Sequence, residues 1–300
     1  MECKFCLSES IVKNGSSRNK QKYLCRECKH QFLEIESYPK MRNDGRIIAT
    51  ALDMYFEGLS VRKVSRQLQK IFREEIDPST IWDWIQKYAR FVKAYIDTLQ
   101  VENLSGEWHV DETMIKSKGL NDPWFWEVLD KETRYLVASH LSKLRTEEDA
   151  IELFRQARQR AKDKPNAINV DGLGAYRKGY TKNFWVRYPE RRPAFFQEVG
   201  LKGARSNNPV ERLHGTLKDR TKPIRGLGSN RKGSRHKIET IENVLKGWDI
   251  HYNFVRPHGA LGGKTPAQVA GVGIELNDGW SDLIQLATVY ETQQEATSMN

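Results

Sequence analysis

The 300-residue sequence predicts an α/β layer fold, a mixed sheet flanked by helices, preceded by a small cysteine-stapled module and a helical region. Three features of the chain lead there. All four cysteines lie in the first 28 residues, residues 46–90 carry apolar side chains at helical spacing, and from residue 107 the period becomes alternating. From that point the order reads three strands, helix, strand, later helix. An antiparallel meander joined to a parallel crossover has that order. The expected division is 1–36, 46–100, 105–272 and a polar tail at 273–300.

A hydrophobic content of 38% with 29% charged residues suits a soluble globular chain long enough for two or three domains. The start, Met1-Glu2-Cys3-Lys4-Phe5-Cys6, lacks the basic and apolar regions of an export signal. No apolar run approaches the roughly 18 residues that a membrane span needs. The chain is therefore expected in the cytoplasm, at the nucleoid if its partner is DNA, with no membrane partner.

In the first module, Cys3-x2-Cys6 is followed after 18 residues by Cys25-x2-Cys28. This is zinc-ribbon spacing: two pairs of thiolates close a tetrahedral Zn²⁺ site, and one structural ion replaces the core that roughly 30 residues cannot build. Paired disulfides would require an oxidising compartment. Lys13, Arg18, Lys20, Lys22, Arg26 and Lys29 make the ribbon basic.

The helical region follows Pro39 and Gly45. Ile47, Ile48, Ala51, Leu52, Tyr55 and Phe56 form the inner stripe of a first helix, which Gly58-Leu59-Ser60 breaks while capping the next. In the second, Val61, Val64, Leu68 and Ile71 form the stripe. Asp77-Pro78 opens a third, with Ile81, Trp84, Ile85 and Tyr88 inward. A helix-turn-helix-like module results, whose outward Thr80, Asp83, Lys87 and Arg90 would face a major groove. Helix pairs of this kind also occur in plain packing.

Strand-like runs occupy 107–113, 124–130 and 134–141, separated by turns at Gly119-Leu120-Asn121-Asp122-Pro123 and Lys131-Glu132. A helix capped by Thr146-Glu147-Glu148-Asp149 runs to about residue 161, and a short strand at 167–171 ends before Gly172-Leu173-Gly174. Trp108, Trp124, Trp126 and Trp185 lie in such runs and are expected in the core.

Charge is concentrated late in the chain. Residues 177–237 hold 17 Lys/Arg and four Asp/Glu, a surplus larger than the +10 of the whole sequence. Nucleic acid, anionic lipid and a merely basic surface all fit a basic chain, and the clustering favours nucleic acid. Within this field stands Glu211, on a helix opened by Asn207-Asn208-Pro209, with His214 and Lys218 three and seven residues on along the same face. Upstream, alternation puts His109, Asp111 and Thr113 on one face of a strand and Trp108, Val110 and Glu112 on the other, while Asp171 ends a strand beside glycine.

Three segments, His109-Val110-Asp111-Glu112-Thr113, Asn169-Val170-Asp171-Gly172 and Asn207-Asn208-Pro209-Val210-Glu211-Arg212, resemble the signatures of DDE transposases of prokaryotic insertion sequences. The stretch from His251 to His258, with Leu261 and Thr265-Pro266-Ala267, is similar to the segment after the catalytic helix of those enzymes. The resemblance spans roughly 107–270, although the 39 residues between Asp171 and Glu211 exceed the usual spacing. It implies an RNase H-like integrase core with the ribbon and helical region as accessory modules, a homo-oligomer on DNA, and Asp111, Asp171 and Glu211 as catalytic residues. In-line phosphodiester displacement suits such a trio. Two oxygen-ligated Mg²⁺ or Mn²⁺ ions about 3.5–4 Å apart, with Asp111 between them, Asp171 on one and Glu211 on the other, would serve both cleavage of element ends and joining to target DNA.

Plainer readings stand beside these. Asp171 before Gly172 suits a turn, and Glu211 suits a capping box. Lys218 and Arg212 are expected on phosphate, His214 is equally a structural residue, and Arg256 and His258 either hold DNA or lock Pro257 in a turn. Arg225, Arg231 and Lys232, in a glycine-rich loop, form a DNA clamp or a loop without contact. Two functional rivals follow: a DNA-binding regulator with an inert catalytic domain, and a structure-selective nuclease that cuts without joining.

Overall fold

The computed structural model describes residues 1–17, 20–34, 37–117, 122–197, 208–221 and 238–298, with the side chains of 208, 220 and 221 left aside. The chain divides into two units, Met1–Thr98 with Leu276–Asn300, and Leu99–Glu275.

In the first unit, β1 (Ile11–Ser17), β2 (Lys20–Cys25) and β3 (Gln31–Leu33) form an antiparallel sheet. Among the described residues its buried core is Cys3, Phe5, Cys25 and Phe32, with Ile11 and Tyr23 packed against it. Three helices follow, α1 (Gly45–Phe56) after Asp44 and, at the expected polar starts, α2 (Val61–Phe72) after Ser60 and α3 (Pro78–Ile96) after Asp77. Asp44 and Asp77 accept the amides of Arg46 and Ser79 at 2.8 and 2.7 Å, satisfying helix-terminal donors. The predicted stripes are buried except in α2, where Val61 is half-buried. Ile71 is 56% exposed, because Leu68 is the last side chain of α2 in the seam and the helix stops at Arg73 in a left-handed conformation.

The C-terminal segment expected to fray is a helix, α9 (Gly279–Ser298), packed on α1 and α3. Trp280, Leu283, Ile284 and Ala287 are buried, with Trp280 stacked on Phe56 at 5.3 Å and Tyr290 against Tyr95 at 5.7 Å. Two polar residues in it, Thr288 and Thr292, are also buried. Their hydroxyls return to the carbonyls of Ile284 and Thr288 at 2.8 and 2.9 Å, so a threonine can face a core without an unsatisfied donor.

The second unit is built on a five-stranded sheet of order β6-β5-β4-β7-β8. Strands β4 (Glu107–Met114), β5 (Trp124–Asp130) and β6 (Leu136–Ser142) make the antiparallel meander; β7 (Ala167–Val170) lies parallel to β4, and β8 (Ala194–Gln197), which the alternation did not single out, parallel to β7. The predicted start at 134 moves to Leu136, since Arg134 takes a positive φ of 57° in the preceding turn. Residues 118–121 of the first turn lie outside the described residues.

Helix α4 (Glu147–Arg160), with its Thr146–Asp149 capping box, carries the chain from β6 back to β7, and α5 (Ala175–Phe184) connects β7 to β8. These two cover one face: Tyr176 meets Trp126 at 5.6 Å and Asp149 meets His140 at 3.2 Å. A Cβ at Gly179 would come within 2.7 Å of the Ala150 carbonyl, so glycine is what lets α4 and α5 approach this closely. Helices α6 (Asn208–Thr221) and α7 (Ile238–Ile250) cover the other face through His214 to Glu127 and Asp249 to Ser139. A π-helical turn, His251–Val255, extends α7, and α8 (Pro266–Val269) is one short turn. Asn253 both accepts from and donates to the Leu136 backbone at 2.9 Å, fastening this turn to the edge strand.

Trp108 and Trp126 are fully buried as expected, and Trp124 is half-buried. Trp185 is not in the core. It follows the last turn of α5 and is 58% exposed. Among the described residues no helix is long and apolar enough to cross a membrane.

Candidate active site

Parallel pairing of β4 with β7 sets Val110 opposite Val170, so the next residue of each strand, Asp111 and Asp171, emerges at the same end of the sheet. Oxygens of Asp111, Glu112 and Asp171 all lie within 4.8 Å of one another. Asp171 combines its anticipated turn role with a place in the cluster. Its Oδ1 accepts the Leu173 amide at 3.0 Å, forming the turn, while Oδ2 faces the cluster, 3.8 Å from Arg145. Glu112 enters from the α5 face, accepting from the Tyr176 hydroxyl and pairing with Arg145 Nη2. The Arg145 guanidinium also lies 4.7 Å from the centre of the Trp124 ring.

Burial pushes the Asp111 carboxyl up to about 7; His214 pulls the other way, and Glu112 and Asp171 add to the rise. Burial likewise raises Glu112, against its bonds to Tyr176 and Arg145. Arg145 pairs with Glu112 and Asp171, and Asp111 has His214 at 3.5 Å, so three carboxyls share one guanidinium and one imidazole. An all-oxygen donor set fits Mg²⁺ or Mn²⁺.

Residues 105–251 match a family model described as a DDE domain. This segment is a DDE transposase domain. Its mixed sheet with helices on both faces is the RNase H-like integrase core that the resemblance implies. No curated protein sequence matches the chain. Among solved structures, a chain of a cryo-EM structure of the simian T-cell lymphotropic virus intasome in complex with PP2A regulatory subunit B56 gamma is similar, with TM-score 0.42 and 15% identity over 76% of this chain and 74% of that one.

Within the DDE domain the third signature lies on α6, whose buried stripe is Val210, Leu213, His214 and Leu217. Glu211 is exposed on this helix and lies outside the Asp111–Glu112–Asp171 group. It precedes by three residues, and so shares a face with, His214, the side chain that ties α6 to the sheet. His214 Nε2 lies 2.8 Å from Glu127 Oε2, and Nδ1 lies 3.5 Å from Asp111 Oδ2. Burial alone would lower the His214 pKa, but Glu127 and Asp111 outweigh it and raise the value. The buried His214 ring therefore lies between two carboxyl groups, one of them in the cluster. Glu127 pairs with Asp111 across β4 and β5, which fixes their side chains on the same face.

The sequence reading missed Glu112, Arg145, Tyr176 and Glu127 as parts of the site. Glu112 was assigned to the opposite face from Asp111, which is correct, yet at the end of the sheet the two carboxyls still approach. The other three signals are absent from local pattern, because each partner is distant in sequence.

Of the other residues expected to touch DNA, Arg212 and Lys218 are exposed on α6, and Lys87 and Arg90 on α3. The Lys87 amine sits 3.2 Å from Met41 Sδ and 5.0 Å from the centre of the Tyr88 ring; burial lowers its pKa, and Lys40 adds to this. Arg225, Arg231 and Lys232 lie outside the described residues. His258 locks a turn: its Nε2 is 3.3 Å from the Tyr252 carbonyl, its amide bonds the Lys264 carbonyl, and burial takes its pKa down to about 4.

The ribbon cysteines form a second cluster. Sγ atoms of Cys3, Cys6, Cys25 and Cys28 lie within 4.8 Å of one another, with Cys3–Cys28 and Cys6–Cys25 at 3.6 Å. Tetrahedral Zn–S bonds place sulfurs about 3.8 Å apart, so the spacing fits Zn²⁺. Both knuckles turn alike, with Leu7 and Lys29 at φ near +62° and +61° returning their amides to the carbonyls of Cys3 and Cys25.

Proposed function

We propose that the chain is a transposase that binds the ends of an insertion sequence and performs strand cleavage and strand transfer with Asp111, Asp171 and Glu211. The observation that supports this reading most is the meeting of Asp111 and Asp171 from neighbouring parallel strands in an oxygen-rich cluster. Asp111 and Asp171 would hold divalent cations, with Glu211 on α6 as the third ligand. Two Mg²⁺ or Mn²⁺ ions bound there would supply charge stabilisation to the attacking and leaving oxygens of an in-line displacement. Water first displaces a 3′-oxygen from phosphorus, leaving a free 3′-hydroxyl at the element end. That hydroxyl then attacks a target phosphodiester, forming one P–O bond as another breaks, so no covalent enzyme intermediate is needed.

The remaining residues position these groups. His214, held by Glu127, fixes the Asp111 carboxylate and the pitch of α6; Arg145 and Tyr176 fix Glu112. Lys218, Arg212 and the loop carrying Arg225, Arg231 and Lys232 contact phosphate, while the zinc-bound ribbon and α3, through Lys87 and Arg90, recognise the element ends. Two copies bring two ends together in the cytoplasm, on the nucleoid.

A supercoiled plasmid carrying the DNA that flanks the gene, incubated with Mg²⁺, tests this reading. Wild-type protein should release 3′-hydroxyl ends and joined products, and Asp171→Asn should give neither. Equal behaviour of the two proteins would defeat the proposal, and nicks without joined products would leave only a nuclease.

A further inference from the structure

The segment between α5 and β8 exposes large apolar side chains beside cations: Trp185 at 58%, Tyr188 at 52% and Val186 at 37% of their surface. Exposed side chains of this size call for a partner more than scattered leucines do. Each ring is already paired with a guanidinium. Arg192 lies 5.0 Å from the Trp185 ring centre and Arg191 5.1 Å from that of Tyr188. Arg192 is held there by its own loop, donating from Nε to the Val186 carbonyl at 2.7 Å and from Nη2 to the Arg187 carbonyl at 3.5 Å. Lys164 donates to the Arg191 carbonyl and anchors the other end. Arg187 is exposed beside them, and Glu190 is the one acid in the stretch 185–192.

We propose that Trp185 and Tyr188, with Arg192 and Arg191 behind them, form a stacking platform for unpaired DNA bases. A guanidinium pair fixes each ring and adds positive charge, which complements phosphate, while a flat π surface left to solvent complements a base. Duplex DNA hides its base faces, so the platform selects a strand whose bases are unstacked. It is separate from the carboxylate cluster: Asp171 precedes α5 and Trp185 follows it, and ten helical residues rise about 15 Å. DNA as the partner rests on the proposed function, but the platform itself requires no cleavage.

The test is fluorescence anisotropy of a labelled 20-nucleotide single strand, and of its duplex, with the full zinc-loaded chain and no added Mg²⁺. Trp185→Ala and Tyr188→Ala should each weaken single-strand binding about tenfold, the scale of one lost base stack, and change duplex binding by less than about threefold. Trp185→Phe should retain most of the affinity, separating stacking from misfolding, and thermal melts should match wild type. Equal losses on both DNAs, or no loss on either, would overturn the platform. So would an altered oligomeric state in sedimentation with unchanged DNA affinity, which would mark a protein-docking surface. A chain that cuts no DNA yet binds single strands through Trp185 would sink the proposed activity while supporting the platform.

Discussion

The two metal-fitting clusters of this molecule are built in opposite ways. Four thiols of the ribbon come from two knuckles within 28 residues, around a small buried core. The acidic cluster draws on β4, β7, the loop before α4, and α5, with α6 reaching it through a histidine. A site closed by local turns lets metal binding drive folding; a site assembled from distant elements has to be held ready by the protein's own core and ion pairs. The ribbon should therefore need its ion in order to fold, and the DDE domain should fold without its ions and need them for chemistry.

Zinc removal is the harshest way to break that contrast. Chelation, or Cys25→Ser, should unfold residues 1–35, since structural zinc contributes on the order of 10 kcal/mol to such modules. Amide exchange should show protection lost there and kept in β4–β8. Freshly purified protein should carry one zinc per chain, and metal analysis finding none would end the ribbon reading.

Breaking the readiness of the acidic site should cost less but still be measurable. Glu127→Ala leaves His214 buried beside Asp111 without its stronger partner, a change expected to destabilise the second unit by about 3–5 kcal/mol in denaturant melts. Trp280→Ala, which empties the stack on Phe56, should cost the first unit about 3–5 kcal/mol and leave the DDE domain untouched.

Smaller still is the pH effect, and its sign follows from two raised values. The metal-free Asp111 carboxyl, at about 7 against an ordinary 3.8, contributes stability that is complete below pH 3.8 and lost as pH rises through about 7. His214, raised above 6.5, contributes stability that is complete below 6.5 and lost as pH rises through its folded value. Without divalent metal the second unit should thus soften as pH rises from about 4 through about 7, and added Mg²⁺ should raise its melting temperature more at pH 8 than at pH 5.5. A Mg²⁺ shift independent of pH would contradict the assignment of Asp111 as a ligand.

The same contrast explains what the sequence disclosed. Ribbon, helical stripes, meander and the Thr146 cap are local patterns, and each stands within a residue or two of its expected place. Asp111 and Asp171 were legible from the signatures around them, and parallel register brings them together. Arg145 is one of 49 Lys/Arg with no local mark, and the Glu127–His214 pair joins residues far apart in the chain. Helix α9 escaped notice because threonines that bond their own backbone occupy part of its buried face. Trp185 was misplaced because an aromatic residue just past a helix end reads like core until its exposure is known.

The central claim, that Asp111 and Asp171 jointly hold divalent cations for strand transfer, is tested most directly by Mn²⁺ titration followed by electron paramagnetic resonance on zinc-loaded protein. Wild type should bind Mn²⁺ at pH 8, and Asp111→Asn and Asp171→Asn should each lose that binding while melting as folded proteins. Unchanged Mn²⁺ affinity in both variants would contradict it.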